Sequence, residues 1–219
     1  MERGDELSAN LEMTLRQWIE RYQKEIVFDR VRYRGLQTWK NVLDLWVYQE
    51  ILWETEADLV VEIGVRHGGT TLWLADTLRT FRGPEARVVA IDLVRPPIEF
   101  PANADFILGS SIAPETVATV RARAAGRKVL VLADGDHSAD HVLQEMRLYA
   151  PLIPTGSYFI AEDGIVDVMD WKEFTPGPAV AAERFVAETS EFVIDRTREK
   201  FLLTYAPGGF LKRVHPATA

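Results

Sequence analysis

From residue 58 onward the chain repeats one unit, a short apolar run followed by an amphipathic segment of helix length. The runs are DLVVEIG (58–64), RVVAIDL (87–93), ADFILGS (104–110), KVLVLAD (128–134) and SYFIAED (157–163), and helices are expected over 68–81, 114–125, 138–152 and 178–189. A strand that is apolar at successive positions has both faces covered, as central strands of a parallel sheet do. Alternating such strands with helices requires right-handed crossovers between neighbours. Two further runs, FVID (192–195) and KFLLTYA (200–206), are expected to close the sheet as an antiparallel pair. The pattern therefore predicts an α/β fold with a doubly wound, Rossmann-like sheet, mostly parallel, with a closing antiparallel strand.

Residues 1–57 lack this repeat. Leu11, Leu15, Trp18, Ile19 and Tyr22 lie at helical spacing, which predicts an amphipathic helix over 8–26 with Ser8 as its N-cap. A polar, arginine-rich stretch (29–40) follows, then a strongly apolar helix over 42–53 that should be buried, Trp46 and Tyr48 included. The chain is thus divided into an N-terminal helical segment, 1–57, and a ligand-binding body, 58–219. The leader's aromatics suit a lid over a substrate or a subunit interface in a homo-oligomer. A length of 219 residues supports one sizeable core. The absence of cysteine excludes disulfides, thiolate zinc sites and iron–sulfur clusters. No apolar run approaches the roughly 18 residues of a membrane span, and the polar start MERGDELSAN has no apolar stretch behind it. Neither a membrane segment nor a signal peptide is expected, and the default compartment is the cytoplasm. A net charge of −8 argues against a nucleic-acid partner and leaves room for a cation.

In sheets of this kind the ligand sits beyond the carboxyl ends of the strands, near the switch in strand order. The first strand leads into Glu62-Ile-Gly64-Val-Arg-His-Gly68-Gly69, where the glycines permit a tight turn close to a ligand. The spacing G-x-x-x-G-G departs from the dinucleotide pattern, so a pyrophosphate ligand and an NAD-dependent reductase are disfavoured. Glu62 would oppose a phosphate but suits the cationic methionine part of S-adenosylmethionine. Asp92, at the end of the second strand, can accept both ribose hydroxyls of a nucleoside. Gly109-Ser110-Ser111 can line an adenine pocket.

The fourth strand ends in Asp134-Gly-Asp136-His137 and the fifth in Glu162-Asp163. Four acids at one sheet edge repel one another unless a cation neutralises them, so a bound hard ion is expected: Mg²⁺, or Ca²⁺ or Mn²⁺. His137, three residues after Asp134, is a candidate general base at neutral pH. His141 follows one helical turn later on the same face.

The segments VVEIGVRHGGTTLWLADTL and VLADGDHSADHVLQEMRLYAPLIPTGSYFIAEDGI resemble the cephalosporin hydroxylase and rhamnosyl O-methyltransferase family, with the likeness running from TWKNVLDLWVYQEIL to FLLTYAPGGFLKR. Despite one of its names, that family is similar to class I methyltransferases. The resemblance implies an S-adenosylmethionine-dependent, Mg²⁺-assisted O-methyltransferase acting on a hydroxyl of a sugar or natural-product small molecule. It implies that Asp134, Glu162 and Asp163 hold the metal and that His137 is the base. Glu62, Gly64, Gly68, Asp92, Ser110 and Asp134 would border the cofactor, and Asp136 would join the metal shell or stand behind it. Catechol-type relatives carry Asp-Asn at the fifth strand; Glu-Asp here favours the sugar-type branch. Two rivals remain: an iron/2-oxoglutarate hydroxylase built on His137, Asp140 and His141, and a non-catalytic subunit that retains the fold.

Overall fold

The computed structural model describes residue 8 and residues 10–216; the polar segment 1–7 lies outside the described residues. Its main sheet contains β1 (Leu59–Ile63), β2 (Arg87–Asp92), β3 (Ala104–Leu108), β4 (Val129–Ala133), β5 (Tyr158–Ala161), β6 (Phe192–Ile194) and β7 (Phe210–Arg213). Their spatial order is β3-β2-β1-β4-β5-β7-β6. The first five strands are mutually parallel, and β7 runs antiparallel to both β5 and β6. The order reverses between β1 and β4, so the ends of these two strands form the switch point. Every residue of β1, β4 and β5 is buried, as continuous apolar runs demand.

The helices are α1 (Leu15–Arg21), α2 (Val42–Glu54), α3 (Gly69–Arg82), α4 (Pro114–Ala124), α5 (Ala139–Tyr149), α6 (Ile165–Met169) and α7 (Pro178–Glu188). One apolar cluster, under α4, α5 and α7, covers one face of the sheet, and a second, under α2 and α3, covers the other. Because Val47, Tyr48, Ile51 and Leu52 of α2 belong to that second cluster, the later part of the leader is built into the core. The earlier part packs Ile19 and Val27 against Ile165, Val166 and Met169 at the carboxyl end of the sheet.

Four sequence expectations change. The leader is not one continuous helix: Ser8, Asn10 and Leu11 are helical, residues 12–14 interrupt, and a helix restarts at Leu15, where Thr14 and Gln17 form a reciprocal capping box. At Tyr22 it widens into a π-helix, Tyr22–Val27, a form often found beside functional sites. Trp46 is 59% exposed, because the sheet takes the face of α2 that carries Tyr48 and Leu52; Tyr48 is buried as expected. Residues 200–206 form no strand. There the amide of Tyr205 donates to Asp44 Oδ2 (2.8 Å) and its carbonyl accepts from Ile165, so this backbone is engaged with α2 and α6. The closing pair is instead β6 with β7, whose Phe210 and Leu211 are fully buried.

Candidate active site

Gly64 turns the chain out of β1 with φ +88°, and a Cβ there would collide with the carbonyl oxygen of Asp134. Only glycine lets the ends of β1 and β4 approach so closely. The loop after it is held by Asp92, whose Oδ2 accepts from the amides of Val65 (2.8 Å) and Arg66 (3.0 Å). Gly64, Asp92, Ser110, Ser111 and Asp134 border a cavity of about 330 Å³ at the switch point. Its far end is closed by Ser111, His141 and Glu145, of which sequence reasoning passed over Glu145. Glu145 Oε1 accepts from Ser111 (2.5 Å) and lies 3.2 Å from His141 Nε2, while Glu145 Oε2 is buried with no partner. The Glu145 hydrogen bond outweighs burial and raises the pKa of His141.

Two of the expected cofactor residues stand elsewhere. Glu62 does not border the cavity; it is buried with Oε2 accepting from Thr71 (2.5 Å) and Oε1 unpaired. Burial pushes its carboxyl up to about 8, which favours the uncharged acid over the anion read from the sequence. Gly68, at φ +81°, caps α3 and faces Ile98.

On the other side of Asp134 the acids converge. Ligand atoms of Asp134, His137 and Asp163 lie within 4.8 Å of one another, the one such three-residue group among the described residues. Asp163 adopts φ +57°, a left-handed conformation uncommon outside glycine and enriched at working sites. Burial and the neighbouring Asp134 push its carboxyl up to about 6, although His137 pulls the other way. His137 Nε2 stands 3.4 Å from Asp163 Oδ2, and its ring meets Phe174 edge-on at 5.9 Å. Asp136 turns away to accept from the amide of Ser138 at the start of α5 (2.7 Å). Asp140 is exposed and paired with Arg184, so it does not converge with His137 and His141 as an iron triad would require.

Glu162 belongs to the cluster but faces a cation that the sequence reading missed. Lys40, from the leader just before α2, is buried with Nζ bonded to Asp134 Oδ2 and 2.9 Å from Glu162 Oε2. Burial alone would lower its pKa, but the two carboxylates outweigh that and hold it above its ordinary value, fully charged. The expectation that only a bound divalent ion could make these acids tolerable is therefore corrected: a side chain supplies part of the neutralisation. The one signal for it in the sequence was a lone lysine in the otherwise uncharged stretch GLQTWKNV. Glu162 Oε1 remains buried and unpartnered.

Beyond His137 and Asp163 opens a second cavity, of about 500 Å³. The π-helical segment and its neighbours supply Gln23, Lys24 and Phe28, and the far wall carries Asp170, Trp171 and Phe174. Gln23 Oε1 is buried without a partner. The leader is pinned near the first cavity as well. Trp39 lies against Arg66 (4.8 Å) and His67 (4.9 Å) of the glycine loop, and a Cβ on Gly69 would strike Thr38.

Comparison with known proteins identifies the family. The family described as Rhamnosyl O-methyltransferase/CmcI matches residues 25–214. A rhamnosyl O-methyltransferase of Mycobacterium bovis (strain BCG / Pasteur 1173P2) is 35% identical over 202 residues, covering 88% of this chain and 82% of the relative. One from Mycobacterium leprae (strain TN) is 33% identical over 201 residues, covering 88% and 87%. A solved structure described as cmcI-D160 Mg-SAM superposes with a TM-score of 0.65 at 25% identity, covering 93% of this chain and 86% of that one.

Proposed function

The chain belongs to the rhamnosyl O-methyltransferase/CmcI family and is an S-adenosylmethionine-dependent, Mg²⁺-assisted O-methyltransferase; from that premise we propose which residues carry the reaction and what kind of acceptor it takes. The observation that carries the reading is that two cavities meet at one cluster. Asp134 borders the first, and His137 and Asp163 border the second.

The residues fit both absent groups. An oxygen-rich donor set suits a hard divalent ion, and the unpaired oxygen of Glu162 marks a place for a further ligand. The first cavity offers Asp92 for ribose hydroxyls, Ser110 beside them, and the unpaired Glu145 Oε2 as an acceptor for an exocyclic amine. Asp134, Glu162 and Asp163 would hold the ion, with His137 beside them. Bound there, Mg²⁺ supplies Lewis acidity at the acceptor hydroxyl, and S-adenosylmethionine supplies the methyl group.

The chain's own residues then do three things. The cavity walls hold donor and acceptor on opposite sides of Asp134, and fixing two reactants in line is worth roughly 7–11 kcal/mol of barrier. The His137 ring takes up the hydroxyl proton, contributing about 10²–10⁴-fold in rate. Asp163 Oδ2, 3.4 Å from His137 Nε2, stabilises the protonated ring. The leader acts as the lid of the second cavity, and the aromatic and hydrogen-bonding walls there suit the ring and hydroxyls of a glycosyl acceptor.

The test is His137→Ala assayed with a rhamnosyl acceptor and titrated with S-adenosylmethionine in a calorimeter. The donor affinity should stay within about twofold of wild type while kcat falls by about 10²-fold or more. An undiminished kcat would remove His137 as base, and no donor binding by wild type at millimolar concentration would remove the site assignment altogether.

A further inference from the structure

Among the described residues Lys40 is the one buried cation in contact with the acidic cluster, and the mechanism above does not use it. Its side chain is 3% exposed and its ammonium touches Asp134 Oδ2 and Glu162 Oε2. Glu162 Oε1, on the opposite side of that carboxylate, is buried and bonded to nothing. Three carboxylates (Asp134, Glu162, Asp163) carry a formal −3, and adding Lys40 leaves −3 + 1 = −2, the charge one divalent ion neutralises. Buried like charges without a counter-ion cost several kcal/mol each or force a carboxyl to take up a proton, so without Lys40 the cluster would be held together only by protons or by an ion.

We propose that Lys40 is the resident counter-cation of the metal site. It takes one oxygen each from Asp134 and Glu162, leaves Glu162 Oε1 free, and lowers the cluster's charge so that the protein folds without the ion and takes it up reversibly. Two consequences oppose each other in a way a merely structural lysine would not produce. Removing the ammonium weakens the ion-free fold, because carboxylates are left uncompensated. The same change strengthens divalent-ion binding, because a positive charge beside the site no longer repels the ion.

The inference rests on the metal-site reading above, and Mn²⁺ serves as the probe for both. The full chain, Lys40→Gln, and Lys40→Gln/Glu162→Gln are each titrated with Mn²⁺ by electron paramagnetic resonance and melted in EDTA and in Mn²⁺, with neither donor nor acceptor present. Lys40→Gln should bind Mn²⁺ at least about tenfold more tightly than wild type, melt lower in EDTA, and gain more from the ion. The double variant, with one charge of each sign removed, should recover EDTA stability relative to the single variant. It keeps the inference testable if Lys40→Gln does not fold. Equal or weaker Mn²⁺ binding by Lys40→Gln, or a double variant no more stable in EDTA than the single one, overturns the inference. Wild-type protein that takes up no Mn²⁺ at millimolar concentration overturns the metal reading instead, so the two failures are told apart.

Discussion

Glu62 sits in the middle of a fully buried strand, with Thr71 as its hydrogen-bond partner and one oxygen bonded to nothing. Its folded-state pKa of about 8 lies well above the ordinary carboxylate value, and the cause is burial. The unfolded chain therefore releases this proton at a lower pH than the folded one. Any stability tied to the neutral acid is complete below the ordinary value and is lost as pH climbs towards 8. Glu62→Gln, which keeps an acceptor for Thr71 and cannot ionise, should gain on wild type as pH rises from 5 to 8.5. The gain should reach at least about 1 kcal/mol at the upper end, read from urea midpoints at each pH. A difference that stays constant with pH would mean that the group is ionised in the folded protein.

At the scale of elements, the π-helical turn brings Gln23 to the second cavity with an oxygen that no other described residue satisfies. A buried acceptor of that kind costs free energy until a ligand donates to it. Gln23→Ala should therefore raise the acceptor's KM by about tenfold while leaving the calorimetric affinity for S-adenosylmethionine unchanged. An unchanged KM would separate this element from acceptor binding. Here too lies the boundary of what the sequence discloses. The five parallel strands were legible within a residue or two, because β1, β4 and β5, buried on both faces, write unbroken apolar runs and the half-buried β3 still reads as a short apolar segment beside them. Asp134, His137, Glu162 and Asp163 were legible because parallel strands deliver their ends to one edge. The π-helix was not, since Tyr22 and Ile26 lie four residues apart and read as an ordinary helix. Strand β7 was hidden for a different reason: GGFLKR has two apolar residues, and only its pairing with β5 and β6 reveals it. Lys40 was missed because its partners lie far along the chain, 94 residues away in the case of Asp134. Periodicity carries no information about contacts of that range.

For the molecule as a whole, the first cavity is bordered by residues between Ile63 and Glu145, all from the sheet's first half and the helices beside it. The second depends on the leader as well as the body. Donor binding should therefore be separable from both ion and acceptor. S-adenosylhomocysteine at about 100 times its Kd should stabilise the fold by roughly 2.7 kcal/mol, even in EDTA. In a chain of this size that is a rise in Tm of about 5–10 °C. A scan in which S-adenosylhomocysteine has no effect until Mg²⁺ is added would show that the first cavity is not formed without the ion.

The place of β7 has a consequence for how such a molecule can be made. It lies between β5 and β6, although it is the last strand in sequence. During synthesis, β5 emerges from the ribosome with one edge bare, and β6 arrives with nothing to dock on. Both must wait for residues 210–213 before they join the rest of the sheet. A ribosome stalled shortly before that point would display a sticky, incomplete edge of Tyr158–Ala161 to other nascent chains. Loss of residues 210–213 would therefore remove an interior plank of the sheet, and the product should be a client for chaperones and proteases rather than a working enzyme.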